Sequence, residues 1–224
     1  MSNFGKEFIR FAMGRGALRF GEFKTKAGRV SPYFFNAGLF NDGQALRELA
    51  QFYAKAIATA GIAFDMLYGP AYKGIPLAVS LALAMAENGQ NLPLCFNRKE
   101  AKDHGEGGQT IGAPLEGRVL IIDDVISAGI SVRESIELIR TRGAIPCGLA
   151  IALDRMERGN GALSARDEIE QDYDLPVIAI ATLDDLLSHL RDEPAMAQVL
   201  LRVAQYRDQF GAHAPSSQTC KEDC

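Results

Sequence analysis

Two adjacent carboxylates, Asp123 and Asp124, directly follow an apolar run at residues 119–122. That run is typical of a buried strand, and a loop of small and hydroxyl residues leads from it through Ser131 into a helix. Open α/β sheets bind ligands at the carboxyl ends of their strands. Small residues let backbone N–H groups approach an anion at a helix N-terminus. The segment therefore predicts a site for a ligand with hydroxyl groups or a cation at one end and a phosphate at the other, a description that ribose 5-phosphate meets.

Two other interpretations of this segment remain open from the residues alone. Apolar residues before an acidic pair also describe the Walker-B strand of many nucleotide hydrolases. That class needs a partner G-x-x-x-x-G-K-[ST] motif, which is absent, as is G-x-G-x-x-G. The second interpretation is an ordinary strand end with solvated aspartates. The chain has only three histidines and no G-x-S-x-G motif, so nothing indicates covalent catalysis by a nucleophile and a base.

The composition is that of an ordinary globular protein. The chain has 224 residues, 47% of them hydrophobic and 23% charged, with a formal net charge of -4, which fits one large domain with a continuous core. Four cysteines are too few for a disulfide scaffold and indicate reduced thiols in a cytoplasmic protein. The acidic balance predicts no nucleic-acid or membrane-surface partner. Lys6, Glu7 and Arg10 interrupt any N-terminal signal, and the longest apolar stretch, residues 75–86, is too short to span a bilayer.

The elements that must position the acidic pair alternate between strands and helices. The pattern predicts a helix from Asn3, a hairpin formed by residues 18–24 and 30–36, and a helix from Asp42 to Gly61. Further strands are predicted at residues 64–68, 93–96, 118–122, 147–153 and 177–181, and further helices at residues 75–87 and 132–142. Because the strands are apolar on successive positions, we expect an α/β domain with a central, mostly parallel sheet and helices on both faces. Residues 98–117 carry charges and glycines without a hydrophobic period, which indicates a functional or disordered loop.

The apolar strand, the acidic pair and the hydroxyl-rich loop resemble the phosphoribosyl-diphosphate (PRPP) motif of type I phosphoribosyltransferases. Three further blocks, residues 23–36, 69–74 and 97–108, resemble the orotate phosphoribosyltransferases in order and spacing. The resemblance extends from about Phe8 to Gly211. It implies the type I phosphoribosyltransferase fold, a single domain over residues 1–211 with an N-terminal hood over about residues 1–40, and a flexible tail over residues 212–224. The implied reaction, a step of UMP biosynthesis, displaces pyrophosphate from C1 of PRPP by N1 of orotate and gives orotidine 5'-monophosphate.

The resemblance also implies a PRPP site. Its residues are Lys26, Tyr72, Lys73, Arg98, Lys99, Lys102, His104, Asp123, Asp124, Val125, Ile126, Ser127, Ala128, Gly129, Ile130 and Ser131. Five of these are expected to be catalytic: Lys26, Lys102, His104, Asp123 and Asp124. Ile130 and Ser127 stand where the family usually has threonine, so the loop has one hydroxyl donor fewer. The fold family further implies a non-proline cis peptide between residues 71 and 72.

For the base, the resemblance implies contacts from Phe34, Phe35, Ser127 and Arg155. The planar guanidinium of Arg155 suits the carboxylate of orotate. Mg²⁺ is expected to be held by PRPP and water, without a protein metal cage. Residues 98–108 are expected to act as a lid that reaches the neighbouring active site of a homodimer. The cations expected to converge on one cleft are Lys26, Lys73, Arg98, Lys99, Lys102 and Arg155.

Two rival functions remain, one of which belongs to another class. A regulatory module of the same fold would bind PRPP or a nucleotide without catalysis, but it has no need of the cations Lys99, Lys102 and His104 in the lid. A transferase for a purine or another base is disfavoured by a set of residues that suit an anionic pyrimidine: Lys26, Phe34, Phe35 and Arg155. Without the resemblance, a pair of aromatic residues is more often core, a charged glycine-rich loop is more often a solvated insertion, and an arginine such as Arg155 is more often at the surface.

Overall fold

The computed structural model describes residues 3–25, 28–102, 108–126, 129–159 and 161–212, with the backbone alone at residues 100–102. None of the helices in these ranges is long and apolar enough to cross a bilayer. The expected tail over residues 212–224 lies, except for its first residue, outside the described residues.

The described residues form a chain of alternating strands and helices, as the hydrophobic pattern predicts. The strands are β1 Leu18–Lys24, β2 Val30–Phe35, β3 Met66–Gly69, β4 Leu94–Lys102, β5 Gly108–Gly112, β6 Arg118–Asp123, β7 Ile145–Asp154 and β8 Val177–Thr182. The α-helices are α1 Asn3–Gly14, α2 Gly43–Ala60, α3 Gly74–Glu87, α4 Ile130–Thr141, α5 Ala165–Tyr173, α6 Leu183–Arg191 and α7 Ala197–Phe210. Asp42 caps α2 through its side chain and Gly61 ends that helix in the left-handed conformation, so both boundaries predicted for α2 are confirmed.

The central sheet has the strand order β5-β4-β3-β6-β7-β8. Its pairs are parallel except for β5, which runs antiparallel to β4 at the edge. The predicted α/β architecture with a mostly parallel sheet is therefore confirmed. Because β3, β6 and β7 are parallel neighbours, their carboxyl ends, at Gly69, Asp123 and Asp154, meet at one edge of the sheet.

Both faces of the sheet are buried, and β6 shows how the sequence achieves this. Val119 and Ile121 pack on one face with residues of α4 and α5, whereas Leu120 and Ile122 pack on the other face with residues of α1, α2, α3, α6 and α7. Side chains alternate across a strand, so four consecutive apolar residues are what a strand covered on both faces needs. A central strand held in this way gives the acidic pair at its end a fixed position.

The N-terminal segment forms a separate small sheet. Strands β1 and β2 pair antiparallel, which confirms the predicted hairpin. Helix α1 packs against α6 and β8, and α7 packs against β2. The hairpin is therefore fixed to the main domain by the C-terminal helices.

The structure corrects one expectation about the connections and shows a helix in another. Residues 98–117 are not structureless throughout, because β4 continues to Lys102 and β5 returns antiparallel from Gly108. These edge strands protrude with little apolar content, so no hydrophobic period marks them. The charged connection between β7 and β8 contains α5, which begins at a capping box formed by Ser164 and Asp167. That capping pattern was the available signal for the helix.

Candidate active site

The acidic pair lies at the centre of the carboxyl edge of the sheet. Asp123 ends β6 and Asp124 follows it, and both side chains are buried. The hydroxyl of Tyr53, on α2, donates a 2.7 Å hydrogen bond to the backbone carbonyl of Asp123. The carbonyl of Asp124 accepts the backbone N–H groups of Ala152 and Leu153 on β7. Neighbouring elements thus hold the backbone of the pair from two sides.

Charge at this site is unevenly compensated. The ammonium group of Lys73 lies 2.7 Å from Oδ2 of Asp124. Burial, followed by the neighbouring charge of Asp124, raises the pKa of Asp123 to about 7, against the opposing effect of a backbone hydrogen bond and of the ammonium groups of Lys73 and Lys99. Desolvation and a like charge both disfavour an ionised carboxyl group. Binding of a cation or of hydroxyl donors next to Asp123 would therefore lower its pKa and favour its ionised form.

The loop between β3 and α3 approaches the acidic pair closely. A Cβ atom at Gly74 would lie 2.7 Å from the carbonyl oxygen of Ile122, so only glycine permits this approach. The Ala71–Tyr72 peptide is cis, as the resemblance implies. The N–H of Ala71 donates to Oδ1 of Asn97 on β4 at 2.5 Å. The loop thus places Lys73 at the acidic pair while the side chain of Tyr72 is exposed.

In the segment between β6 and α4, some side chains pack into the core and others are exposed to solvent. Val125 and Ile126 pack their side chains into the two faces of the core, so only their backbone groups face a ligand. Gly129 has a φ of 70° just before α4, a conformation that disfavours a side chain. Ile130 and Ser131 open the helix with exposed side chains. Ser127 and Ala128 lie outside the described residues.

The aromatic pair of β2 is split by the alternation of the strand. The ring of Phe34 is partly exposed and stacks on Phe23 at 5.3 Å between centroids. The ring of Phe35 is buried against Phe8 and Phe40. Consecutive residues of a strand point to opposite faces, so the ring of Phe35 lies in the core and only the ring of Phe34 is open to a flat ligand. Contact of either residue with the base through its backbone stays a prediction.

Arg155, directly after β7, belongs to a buried cluster of charged and aromatic groups and is not an ordinary surface arginine. Its guanidinium lies over the ring of Tyr33 at 4.3 Å and donates from Nη2 to the hydroxyl of Ser31 at 3.0 Å. Oε1 of Glu157 accepts from Nε of Arg155 at 2.8 Å and lies 2.6 Å from its Nη2. Oε2 of Glu157 lies 3.4 Å from Nη1 of Arg29. Two guanidinium groups therefore share one carboxylate.

The cations predicted to converge on one cleft do not all meet at the acidic pair. Lys73 and Lys99 both lower the pKa of Asp123, but Lys99 also lines, together with Arg98, a separate cleft beside α4 that contains Glu134. The structure describes the backbone of Lys102 alone, within β4. Lys26 and His104 lie outside the described residues.

Sequence reasoning missed four residues that hold the site together: Tyr53, Asn97, Glu157 and Arg29. Each acts on a residue distant in sequence or through a backbone group, so no local motif marks it. Only Glu157 could have been suspected from the sequence, because it is a carboxylate two residues after Arg155. The sequence did not show that its side chain points towards Arg155.

The fold and the site define a phosphoribosyltransferase of type I. The family described as phosphoribosyl transferase domain matches residues 38–163. The orotate phosphoribosyltransferase of Laribacter hongkongensis is 66% identical over 211 residues, which are 94% of this chain and 99% of that protein. The crystal structure of orotate phosphoribosyltransferase from Francisella tularensis has a TM-score of 0.82 and 37% identity, covering 92% of this chain and 99% of that chain. The chain belongs to the orotate phosphoribosyltransferase family.

A second relative of known structure is part of a longer protein. The UMP synthase of Leishmania donovani has a TM-score of 0.75 and 26% identity to this chain. The match covers 92% of this chain and 42% of that chain. The architecture described above therefore also occurs as one portion of a larger enzyme.

Proposed function

We propose that this protein transfers the 5-phosphoribosyl group from PRPP to N1 of orotate, giving orotidine 5'-monophosphate and pyrophosphate in UMP biosynthesis. The observation that carries the proposal is the position of Arg155. Its guanidinium lies at the end of β7, the strand next to β6 and its acidic pair, and shares its only described carboxylate, that of Glu157, with Arg29. The cluster has one guanidinium in excess, which suits the carboxylate that distinguishes orotate from other pyrimidines.

The reaction needs positioning and charge stabilisation more than covalent catalysis. The C1–O bond to pyrophosphate breaks as the N1–C1 bond forms, and positive charge develops on the ribose. In the proposal, Asp123 and Asp124 bind the ribose hydroxyls, Lys73 and the backbone of the 71–74 loop bind pyrophosphate, and residues 125–131 enclose the 5-phosphate. Groups held in place before the reaction stabilise such charge without reorganisation.

The donor set at the acidic pair fits Mg²⁺ bound together with PRPP. The described residues contain no group of three or more acidic, histidine or cysteine side chains placed to hold a metal, and Asp124 is already paired with Lys73. Mg²⁺ keeps several waters and binds readily through substrate phosphates, so PRPP oxygens and water would supply most of its ligands. When bound, it supplies positive charge next to the pyrophosphate.

The remaining assignments extend the proposal to residues outside the described ranges and to the assembly. Lys26, Lys102 and His104 neutralise charge on the departing pyrophosphate, and Ser127 contacts both substrates. Residues 98–108, which run from β4 to β5, close over the active site of the second subunit of a homodimer and exclude water. The hood over about residues 1–40 covers the base within a single domain at residues 1–211, and the protein acts in the cytoplasm.

The alternative, a regulatory protein that binds PRPP without catalysis, is not favoured by the identity of 66% and 62% to proteins named orotate phosphoribosyltransferase. The decisive experiment mixes protein, PRPP, Mg²⁺ and orotate and follows the loss of orotate absorbance. We expect loss that stops when PRPP is omitted or Mg²⁺ is chelated. Consumption of PRPP with adenine or uracil but not with orotate would overturn the assignment of the base, and PRPP binding without turnover of any base would favour the alternative.

A further inference from the structure

Glu157 contacts both arginines of the buried cluster, and its two oxygens have different partners. Oε1 accepts from Nε of Arg155 and contacts its Nη2, whereas Oε2 faces Nη1 of Arg29. We propose that Glu157 is a positioning residue for orotate: it orients Arg155 towards the carboxylate of the base and fixes the N-terminal hairpin beside it. The inference rests on the proposed function, because it assumes that Arg155 receives that carboxylate.

Glu157 occupies one edge of Arg155 and leaves Nη1, on the other edge, for a ligand. A guanidinium presents one pair of donors at Nε and Nη2 and a second pair at Nη1 and Nη2. The hydrogen bonds of Arg155 to Glu157 and Ser31 use Nε and Nη2, and the hydroxyl of Tyr206 also lies beside the guanidinium. Glu157 occupies the Nε–Nη2 edge, Ser31 accepts from the other side of Nη2, and the ring of Tyr33 lies beneath the plane. Nη1 therefore has a fixed direction in which to donate to a carboxylate oxygen.

The backbone next to Arg155 is shaped to bring Glu157 to it. Met156, between the two residues, has a φ of 51°, which is uncommon for a residue with a side chain. Its N–H donates to Oδ1 of Asp154 at 2.8 Å, which stabilises this turn. Residues two apart in an extended strand already point to the same face, and the turn at Met156 closes the distance between Arg155 and Glu157 to that of an ion pair.

The second oxygen of Glu157 connects the hairpin to the C-terminal helix. Arg29, at the start of β2, also donates from Nη2 to the carbonyl of Arg158 at 3.2 Å and lies over the ring of Phe210 at 5.2 Å. The backbone of Arg158 in turn donates to the carbonyl of Phe210. Glu157 thus joins the end of β7 to the hairpin, and Arg29 extends the contact to α7. The hairpin carries Phe34, the exposed aromatic residue of the proposed base site.

Charge alone and positioning make opposite predictions for removal of Glu157. If only the charge mattered, an anionic ligand would bind more tightly once a neighbouring carboxylate was gone. If Glu157 acts by positioning, Arg155 regains several rotatable bonds and the ligand must order them on binding. We expect positioning to dominate, because Oε1 contacts two nitrogens of the same guanidinium and the cluster is largely shielded from water.

The test compares Glu157→Ala and Glu157→Gln with the wild-type protein, using orotate and uracil as bases. For Glu157→Ala we expect the KM for orotate to rise about tenfold and the preference for orotate over uracil to fall by a similar factor, with the KM for PRPP within about twofold. Glu157→Gln should give a smaller rise, because its amide oxygen can still face Arg155 while its NH₂ group faces Arg29. A matched control is Asp184→Asn, which removes an acid paired with Arg207 on α7, away from the cluster.

Each result separates this inference from the proposed function. Tighter orotate binding in Glu157→Ala or Glu157→Gln, or equal rises in the KM values for orotate and PRPP, would overturn the positioning role while leaving the transferase activity established. The same rise in Asp184→Asn would overturn it as well, because loosening of α7 would then suffice. Absence of transfer to orotate in the wild-type protein would instead overturn the proposed function. Should Glu157→Ala fail to fold, the orotate KM of Glu157→Gln decides between positioning and charge.

Discussion

The carboxyl ends of β6 and β7 are neighbours in the sheet. Each ends in a buried aspartate, but Asp154 of β7 is paired with Arg166, and the residues that follow the two strands carry charge of opposite sign. After β6, the carboxyl groups of Asp123 and Asp124 have one ion-paired ammonium group among the described residues, that of Lys73. After β7, the guanidinium groups of Arg155 and Arg29 share the single carboxylate of Glu157. Buried charges are normally paired, so each imbalance indicates a group that a ligand supplies.

From this difference in charge we infer which part of the substrates binds at each strand end. An excess of carboxyl groups suits hydroxyl donors and a cation, as the ribose and Mg²⁺ provide, whereas an excess of guanidinium suits a carboxylate. Because the two ends are adjacent, one ligand pair can satisfy both at once. Variants that alter one strand end should therefore affect PRPP and orotate unequally.

We call the carboxyl end of β6, with Asp123 and Asp124, the acidic end. The largest effect is expected when Asp124 is replaced. Asp124→Asn removes the partner of Lys73 and a charged acceptor for the ribose, so we expect kcat/KM for PRPP to fall about a thousandfold. The KM for orotate should change little if the two strand ends act separately. Steady-state kinetics with each substrate varied in turn measures both values. A rise confined to the KM for orotate would contradict the separation.

The acidic end should also lower the stability of the free protein as pH rises. Because the native pKa of Asp123 is about 7, above that of an unfolded aspartate, its protonation favours folding at low pH, and this contribution is lost as pH rises through about 7. Asp123→Asn lacks this titrating group, so its unfolding free energy should not change with pH in this way. Between pH about 5 and about 8, the wild type should therefore lose about 2–3 kcal/mol of unfolding free energy relative to the variant. Urea unfolding without ligands measures it, and parallel pH profiles would contradict the prediction.

We call the cluster of Arg155, Arg29 and Glu157 after β7 the basic end. Its role in binding orotate is tested by Arg155→Ala. A hydrogen bond to a buried charged group contributes about 1.5–3 kcal/mol, so kcat/KM for orotate should fall about 10-fold to 100-fold. Uracil, which lacks the carboxylate, should lose much less. Arg207→Ala, which removes an arginine from α7 outside the cluster, is the matched control. Equal losses with orotate and uracil would mean that Arg155 supports the fold of the base site without contacting the carboxylate.

The same comparison shows what the sequence was able to predict. The acidic end is local: a buried strand, two carboxylates and a helix follow one another within residues 119–131, so periodicity and residue type predicted it. Its position in the middle of the sheet was not predicted, because the alternation of strands and helices does not specify the order of the strands. The boundaries of α2 were predictable for a similar reason, because Asp42 and Gly61 are local capping signals.

The basic end is not local. Arg29 and Glu157 are 128 residues apart and meet at 3.4 Å, and neither periodicity nor a motif specifies such a contact. The pairing of Arg155 with Glu157 also depends on the turn at Met156, a residue type that does not favour positive φ. For Phe35, the resemblance indicated the position but not the face of the strand, and the register of β2 placed its ring in the core.

The smallest effect tests a contact of the acidic end that spans 70 residues of sequence, the hydrogen bond from Tyr53 to the carbonyl of Asp123. Tyr53→Phe removes one hydroxyl and leaves that carbonyl without its donor, which should lower the unfolding free energy by about 1 kcal/mol and raise the KM for PRPP several-fold, with the KM for orotate unchanged. Tyr206→Phe is the comparison variant, because that hydroxyl lies beside Arg155 and Glu157 and away from the acidic pair, so its loss should leave the KM for PRPP unchanged. Thermal unfolding and the two KM values measure the difference. If both variants behave alike, the backbone of β6 is held by its neighbouring strands alone and Tyr53 contributes only its ring to the core.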